Sequence, residues 1–212
     1  MSHMKPFSQA CENNKTAIVE VLRHALPAQG HVLEIGSGTG QHATWFARCL
    51  PGVYWIPSDL PDHLPTLLAG LEGCEVDNLA APLALDVTQQ PWPVGLVDGI
   101  FSANTLHIMS LEAVDTFFTG VGKILTPGGR LCIYGPFKYA GRFTSQSNAG
   151  FDEWLKQRNP VSGVRDIEQI QAWAQAQDLS LIEDHAMPAN NQLLVWERQR
   201  PISGISSNSS AG

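Results

Sequence analysis

Glu34-Ile35-Gly36-Ser37-Gly38-Thr39-Gly40-Gln41 sets an acid, three alternate glycines and two hydroxyls between an apolar run, His31-Val32-Leu33, and a helix-like run, Gln41 to Leu50. Glycine lets backbone approach a ligand closely, and a helix start offers N–H groups with no partner inside the helix. A strand, glycine turn and helix start of this kind can bind an adenosine-bearing cofactor. Further candidates stand at the expected ends of later strands. Asp59, followed by Leu60, ends the second and could accept two hydrogen bonds from a ribose diol. Asp86-Val87 ends the third, and Ala103-Asn104, with His107 close behind, ends the fourth. Each acid also has a plainer role: Glu34 could cap loop N–H groups, and Asp59 and Asp86 could be helix caps or turn formers.

The dinucleotide fingerprint requires glycine at its first, third and sixth positions. The sixth position here is Gln41, so the third glycine is missing. The Gly-x-Gly-x-Gly spacing with an upstream acid instead resembles motif I of class I S-adenosylmethionine-dependent methyltransferases. That resemblance implies S-adenosylmethionine as cofactor, with Asp86 near the adenine amine and the following backbone N–H near a ring nitrogen. It also implies that Ala103 and Asn104, the latter through its carbonyl, lie beside the methyl donor.

The elements that must position these residues follow from periodicity. Helices are predicted over Thr16–Leu26, Gln41–Leu50, Asp62–Leu71, Leu111–Leu125 and Arg165–Gln177. Strands are predicted over His31–Ile35, Val53–Asp59, Ala81–Leu85, Leu96–Ala103, Arg130–Tyr134, Leu179–Met187 and Gln192–Glu197. Strands alternating with helices, several apolar on both faces, indicate an α/β, Rossmann-like fold: a mostly parallel seven-stranded sheet with helices on both faces. The short link Pro188-Ala189-Asn190-Asn191 makes the last two strands an antiparallel hairpin at the sheet edge.

At 212 residues the chain fits one domain, expected over residues 5–200, with Ser2-His3-Met4 reading as a cloning scar and the Ser- and Gly-rich tail after Arg200 as disordered. Net charge is −7 and no basic run occurs, which disfavours a nucleic-acid partner. No apolar run approaches a membrane span and no leader pattern is present. Cys11, Cys49, Cys74 and Cys132 are too far apart for a metal or redox motif, so reduced thiols, a cytoplasmic setting and no metal are expected. Sequence gives no indication of oligomeric state.

From about Phe7 to Arg198 the chain also resembles a little-characterised group of roughly 200-residue methyltransferase-like proteins, long known as a domain of unknown function. The likeness rests on Glu12-Asn13-Asn14-Lys15, Gly36 to His42, Pro57-Ser58-Asp59, Leu85-Asp86-Val87 and Asn104 with His107. It extends to Tyr134-Gly135-Pro136, Gln146-Ser147-Asn148, Phe151-Asp152, Arg158-Asn159-Pro160, Arg165-Asp166 and Met187 to Asn191. The group often has Arg where this chain has Asn13. The resemblance implies a class I methyltransferase fold and leaves the acceptor open.

Methyl transfer from a sulfonium is an in-line displacement that needs alignment and exclusion of water, with a base only when the acceptor must lose a proton early. His107 is the candidate base or acceptor-orienting residue. The Gly135–Gly163 connection is long enough for a lid. Within it, Tyr139, Arg142 and Asn148 are expected to meet the acceptor, while Phe151, Trp154 and Leu155 read as an ordinary helix stripe. Tyr134 ends the fifth strand beside the same site. In related folds the N-terminal segment, Phe7 to Lys15, covers the cofactor, so Glu12, Asn14 or Lys15 is expected to touch cofactor or acceptor. Asn190 and Asn191 suit either a turn or an acceptor contact. Strand 4 lacks the Asn/Asp-Pro-Pro-aromatic clamp used on exocyclic amines of bases, so a small-molecule acceptor is favoured. Two other classes compete: a non-catalytic S-adenosylmethionine-binding module, and a nicotinamide-dependent oxidoreductase, against which Gln41 and the lack of a Tyr-x-x-x-Lys pair both count.

Overall fold

The computed structural model describes residues 5–200; the segments read from sequence as a scar and a disordered tail lie outside them. In chain order the elements are α1 (Gln9–Ala25), β1 (Gly30–Ile35), α2 (Gln41–Cys49), β2 (Val53–Asp59), α3 (Leu64–Leu71), β3 (Leu83–Ala84), β4 (Val97–Ala103), α4 (Leu111–Ile124), β5 (Leu125–Gly135), β6 (Phe137–Tyr139), β7 (Arg142–Phe143), α5 (Gln146–Arg158), β8 (Arg165–Asp166), α6 (Ile167–Gln175), β9 (Leu179–Met187) and β10 (Asn191–Arg198). The main sheet has seven strands in the order β3-β2-β1-β4-β5-β10-β9. β3, β2, β1, β4 and β5 run parallel, and β10 is antiparallel to both β5 and β9.

Side chains alternate across this sheet, and both faces are buried. Val32, Phe101, Cys132, Leu193 and Val195 pack towards α1 and α2, around Trp55, Phe46 and Leu22. Their neighbours Leu33, Ile100, Leu131, Ile133, Leu194 and Trp196 pack towards α4 and α6, around Phe117, Phe118 and Ile170. Period-two burial on both faces is what a covered parallel sheet requires. Each fully buried large apolar side chain contributes about 1.5–3 kcal/mol. Among the described residues no helix is long and apolar enough to cross a membrane.

Several elements differ from their sequence-based bounds. α1 starts at Gln9, because Ser8 caps it and accepts from the Cys11 N–H, so the polar Phe7–Lys15 segment forms its entry and first turns. β3 keeps only two residues: the chain before it pairs with Trp55 alone, through Asn78 O and the Ala80 N–H. β5 begins at Leu125, since a register shift between Val97 and Gly99 of β4 absorbs Pro127-Gly128-Gly129. The Gly135–Gly163 connection is largely regular structure. β6 and β7 pair within it, β8 joins β6 to make a second, three-stranded sheet, and α5 is capped by Ser145, which accepts from the Asn148 N–H. Arg165 consequently belongs to β8, and α6 starts two residues later.

Candidate active site

Parallel strands deliver their carboxyl ends to one edge of the sheet, where ligands of open α/β folds collect. The glycine loop follows β1 there. Its Gly36 and Ser37 N–H groups both donate to Ser58 O (3.0 and 2.9 Å), and the Ser58 N–H returns a bond to Ser37 Oγ (3.1 Å). Gly36, Gly38 and Gly40 all have positive φ (76°, 56° and 72°). A Cβ on Gly36 would lie 2.4 Å from Thr105 Cγ2, whereas one on Gly38 would meet nothing within 4 Å. Gly38 therefore faces open space. Gly40 is the N-cap of α2 and offers no side-chain cap, which leaves the helix start able to receive a ligand.

Glu34 lies beneath this loop. Trp55 Nε1 donates to its Oε2 (2.8 Å), and burial pushes its carboxyl up to about 7 against the bonds from Trp55 and Ser37. Asp59 is buried at the end of β2. Its Oδ2 accepts the Gly38 N–H (2.7 Å), and its Oδ1 accepts the Leu60 N–H (2.8 Å) and faces His63 Nδ1 (3.1 Å). One carboxylate thus ties the glycine loop to β2, with lone-pair capacity left for a diol. Asp86 Oδ1 accepts from Thr88 N and Oγ1 (2.9 and 2.7 Å), an Asx turn, while Val87 packs in the core. Gln41 Oε1 is shared between the Ser8 N–H and Thr39 Oγ1, and its Nε2 reaches Glu12.

A cavity of about 850 Å³ opens above Gly36, Ser37, Gly38 and Thr39. Ala103, Asn104 and His107 form its far side, and α1 supplies a wall through Cys11, Asn13 and Asn14. Tyr134 and the Pro188–Asn191 turn form another, and α5 closes the mouth. Asn104, Ala189 and Asn190 all adopt left-handed backbone (φ 58°), which turns the chain sharply at the cavity edge. Asn148 Nδ2 donates to Asn190 O (2.8 Å), tying α5 to that turn.

Two buried histidines line this space. His42 Nε2 is 2.7 Å from Asn14 Oδ1 and its ring stacks on Phe46 (5.1 Å); burial, then the Lys15 charge, depresses its pKa to about 4. His107 stands edge-on to Phe151 (5.2 Å), and burial, then the Arg165 charge, depresses its pKa to about 4 as well. Arg165 holds the His107 loop from below: Nε donates to Leu106 O (2.9 Å), and an η nitrogen donates to Met109 O and Val161 O. The Gly163 N–H adds a bond to His107 O (2.8 Å). Burial raises the pKa of the Tyr134 hydroxyl, an effect that Asn14 and Asn191 oppose.

Of the residues singled out by sequence, Gly36, Ser37, Gly38, Thr39, Ala103 and Asn104 line the cavity, as do His107, Asn14, Tyr134, Asn148, Asn190 and Asn191. Glu34, Gly40, Gln41, Asp59, Leu60, Asp86 and Val87 lie outside its lining, several of them supporting it from behind as described. Glu12 and Lys15 pair with each other, and Lys15 sits 4.6 Å over the Trp45 ring. Tyr139 and Arg142 lie in the small second sheet, away from the cavity: Tyr139 donates to Asp184 (2.8 Å), and Arg142 is exposed. The helix stripe behaves oppositely, since Phe151, Trp154 and Leu155 all line the cavity, joined by Arg158, which the stripe did not include. Spacing at i, i+3 and i+4 marked the stripe but not the side it faces; nothing local marked Cys11 as a lining residue.

Strand order, the antiparallel β10 and the glycine loop at the β1 end together define a class I methyltransferase fold. The chain belongs to the DUF938 family, described as a protein of unknown function, whose profile matches residues 5–198. Solved structures agree on the fold. An O-methyltransferase family 2 protein from Planctomyces limnophilus, in complex with apigenin, superposes with a TM-score of 0.76 at 21% identity, covering 89% of this chain and 58% of that one. CalO1, a methyltransferase of calicheamicin biosynthesis in its S-adenosylhomocysteine-bound form, gives 0.66 at 16% identity over 86% of this chain and 54% of that one. A protein from Bacillus halodurans, named provisionally as a methyltransferase, gives 0.69 at 14% identity and is covered in full, with 89% of this chain matched. The chain thus spans a little over half the length of the first two.

Proposed function

We propose that this chain transfers a methyl group from S-adenosylmethionine to a small-molecule acceptor held in the cavity. The observation that carries the reading is the continuity of one cavity from the open face of Gly38 to Ala103, Asn104 and His107. The residues fit the cofactor: the open loop admits an adenosine, and Asp59 keeps acceptor capacity beside it. Bound there, S-adenosylmethionine supplies a methyl already activated by its sulfonium charge. The chain's own residues then align and exclude water. A neutral His107 can accept a hydrogen bond from the incoming hydroxyl or amine. With a pKa near 4 it does not strip a phenolic proton in advance. A phenol near 10 would have to give up its proton at a cost of about 8 kcal/mol. His107 therefore orients the acceptor and takes its proton only as the new bond forms. The likeness to enzymes of small molecules supports this class of acceptor.

Calorimetry with S-adenosylmethionine, S-adenosylhomocysteine and NAD tests the reading. Micromolar binding of the first two is expected, weakened at least tenfold in Asp59→Ala through lost charge-assisted bonds. Tighter binding of NAD would overturn it. Binding without turnover on a broad metabolite panel would turn the assignment to a non-catalytic module.

A further inference from the structure

The mouth of the cavity differs in chemistry from its floor. Along α5, His107 meets Phe151, Phe151 stacks on Trp154 (5.8 Å, planes 19° apart), and the Arg158 guanidinium sits over the Trp154 ring (4.6 Å). Trp154 remains 47% exposed, and Ile108, 54% exposed, belongs to the same lining. A large aromatic left half-bare at a cavity mouth, with Phe151 and Arg158 already against its ring, keeps apolar surface on which a second ring can pack.

Charge adds a second constraint. The chain carries an excess of acids, 20 against 13 lysines and arginines. Nevertheless, no Asp or Glu occurs among the described residues that line the cavity. The lining histidines are held neutral, so Arg158 is its one full charge, and no carboxylate of the described residues lies within ion-pair distance of it. An arginine that is free of a partner and braced on an aromatic face is suited to fork onto a carboxylate or another planar oxyanion.

We infer that the acceptor is a flat aromatic acid: its ring lies against Trp154 and Phe151, its anionic group pairs with Arg158, and its methyl-accepting atom points inward to His107. This assigns Arg158 and Trp154 as the specificity-determining residues of the acceptor site. The inference rests on the methyl-transfer reading for its inward end only; the ring-and-anion subsite stands on α5 itself.

The test uses 2-naphthoate and its neutral counterpart 2-naphthamide as probes, titrated calorimetrically into the full chain with and without S-adenosylhomocysteine. Naphthoate is expected to bind about tenfold or more tightly than the amide, a preference that Arg158→Gln abolishes and Arg158→Lys keeps in part. Trp154→Ala should weaken both probes, naphthoate somewhat more than the amide, because it removes the stacking surface and also the brace under Arg158. Arg158 is exposed in the last turn of α5, so thermal melts of the Arg158 variants are expected to match the parent. Equal affinity for the two probes, binding of neither, or a preference that survives in Arg158→Gln would overturn the inference. Failure to bind S-adenosylhomocysteine would sink the methyl-transfer reading instead, and leaves the probe comparison valid.

Discussion

His42 Nε2 and Asn14 Oδ1 lie 2.7 Å apart, both residues buried, and this bond joins α1 to α2 beside the glycine loop. An amide oxygen can only accept, so His42 carries a proton on Nε2, and its pKa, depressed to about 4, leaves the ring neutral at pH 7. Asn14→Ala would leave that N–H without a partner at a cost of about 1–3 kcal/mol. Urea denaturation of the two proteins at pH 7.5 measures the difference; an unchanged midpoint would mean the pair holds nothing.

Three buried groups set a pH dependence with opposing signs. His42 and His107 titrate near 4 when folded and near 6.5 when unfolded, so the unfolded chain takes up more protons between those values. Their contribution is full above pH 6.5 and is lost as pH falls towards 4. Glu34, raised to about 7, does the reverse: its contribution is full below about 4.5 and is lost as pH rises through 7. Glu34→Gln keeps an acceptor for Trp55 Nε1 and removes this titration. The variant should gain up to roughly 3 kcal/mol relative to the parent between pH 4.5 and 8. Parallel denaturation curves across that range read it; a constant offset would show that Glu34 does not titrate there.

Glycines separate loop function from packing. Gly38→Ala meets no atom within 4 Å and costs about 1–2 kcal/mol for its left-handed backbone, yet its methyl enters the space above the loop. Affinity for S-adenosylhomocysteine should fall at least tenfold. Gly120→Ala, on α4, puts a Cβ 2.1 Å from Trp92 and should lower the melting temperature while leaving that affinity alone. The reverse pattern would misplace the cofactor.

Arg165 is a positioning residue for His107. Arg165→Met removes a nearby positive charge, so the His107 pKa should rise from about 4 while staying below 6.5, because burial is the larger cause. An NMR titration of the imidazole follows it directly. A pKa that falls or stays fixed would show that the arginine acts on the backbone alone.

Much of the fold was legible in the sequence, because a strand covered on both faces reads as an apolar run, and the runs of the second, third and fourth strands end at Asp59, Asp86 and Asn104. The sheet order, however, depended on which runs pair, and only the glycine loop hinted at it. β3 misled because Pro82 and an edge position leave little to pair. Cavity residues at strand ends were visible from their position in the chain. The α5 stripe was visible as a stripe, but apolar spacing does not say whether a helix faces core or ligand. Bonds such as His42 to Asn14, or Arg165 to three carbonyls, join elements distant in sequence and leave no local mark.

Gln41 occupies the place where a dinucleotide fold would keep a glycine, and its side-chain oxygen is shared between α1 and the glycine loop. That shared oxygen makes wall and floor one mechanical unit. A ligand that settles α1 is expected to firm the loop as well, and by linkage a ligand on the loop would then improve the site beside α1 by the same factor. On the methyl-transfer reading, donor and acceptor affinities are expected to be coupled through the Gln41 amide, which lies outside the cavity lining.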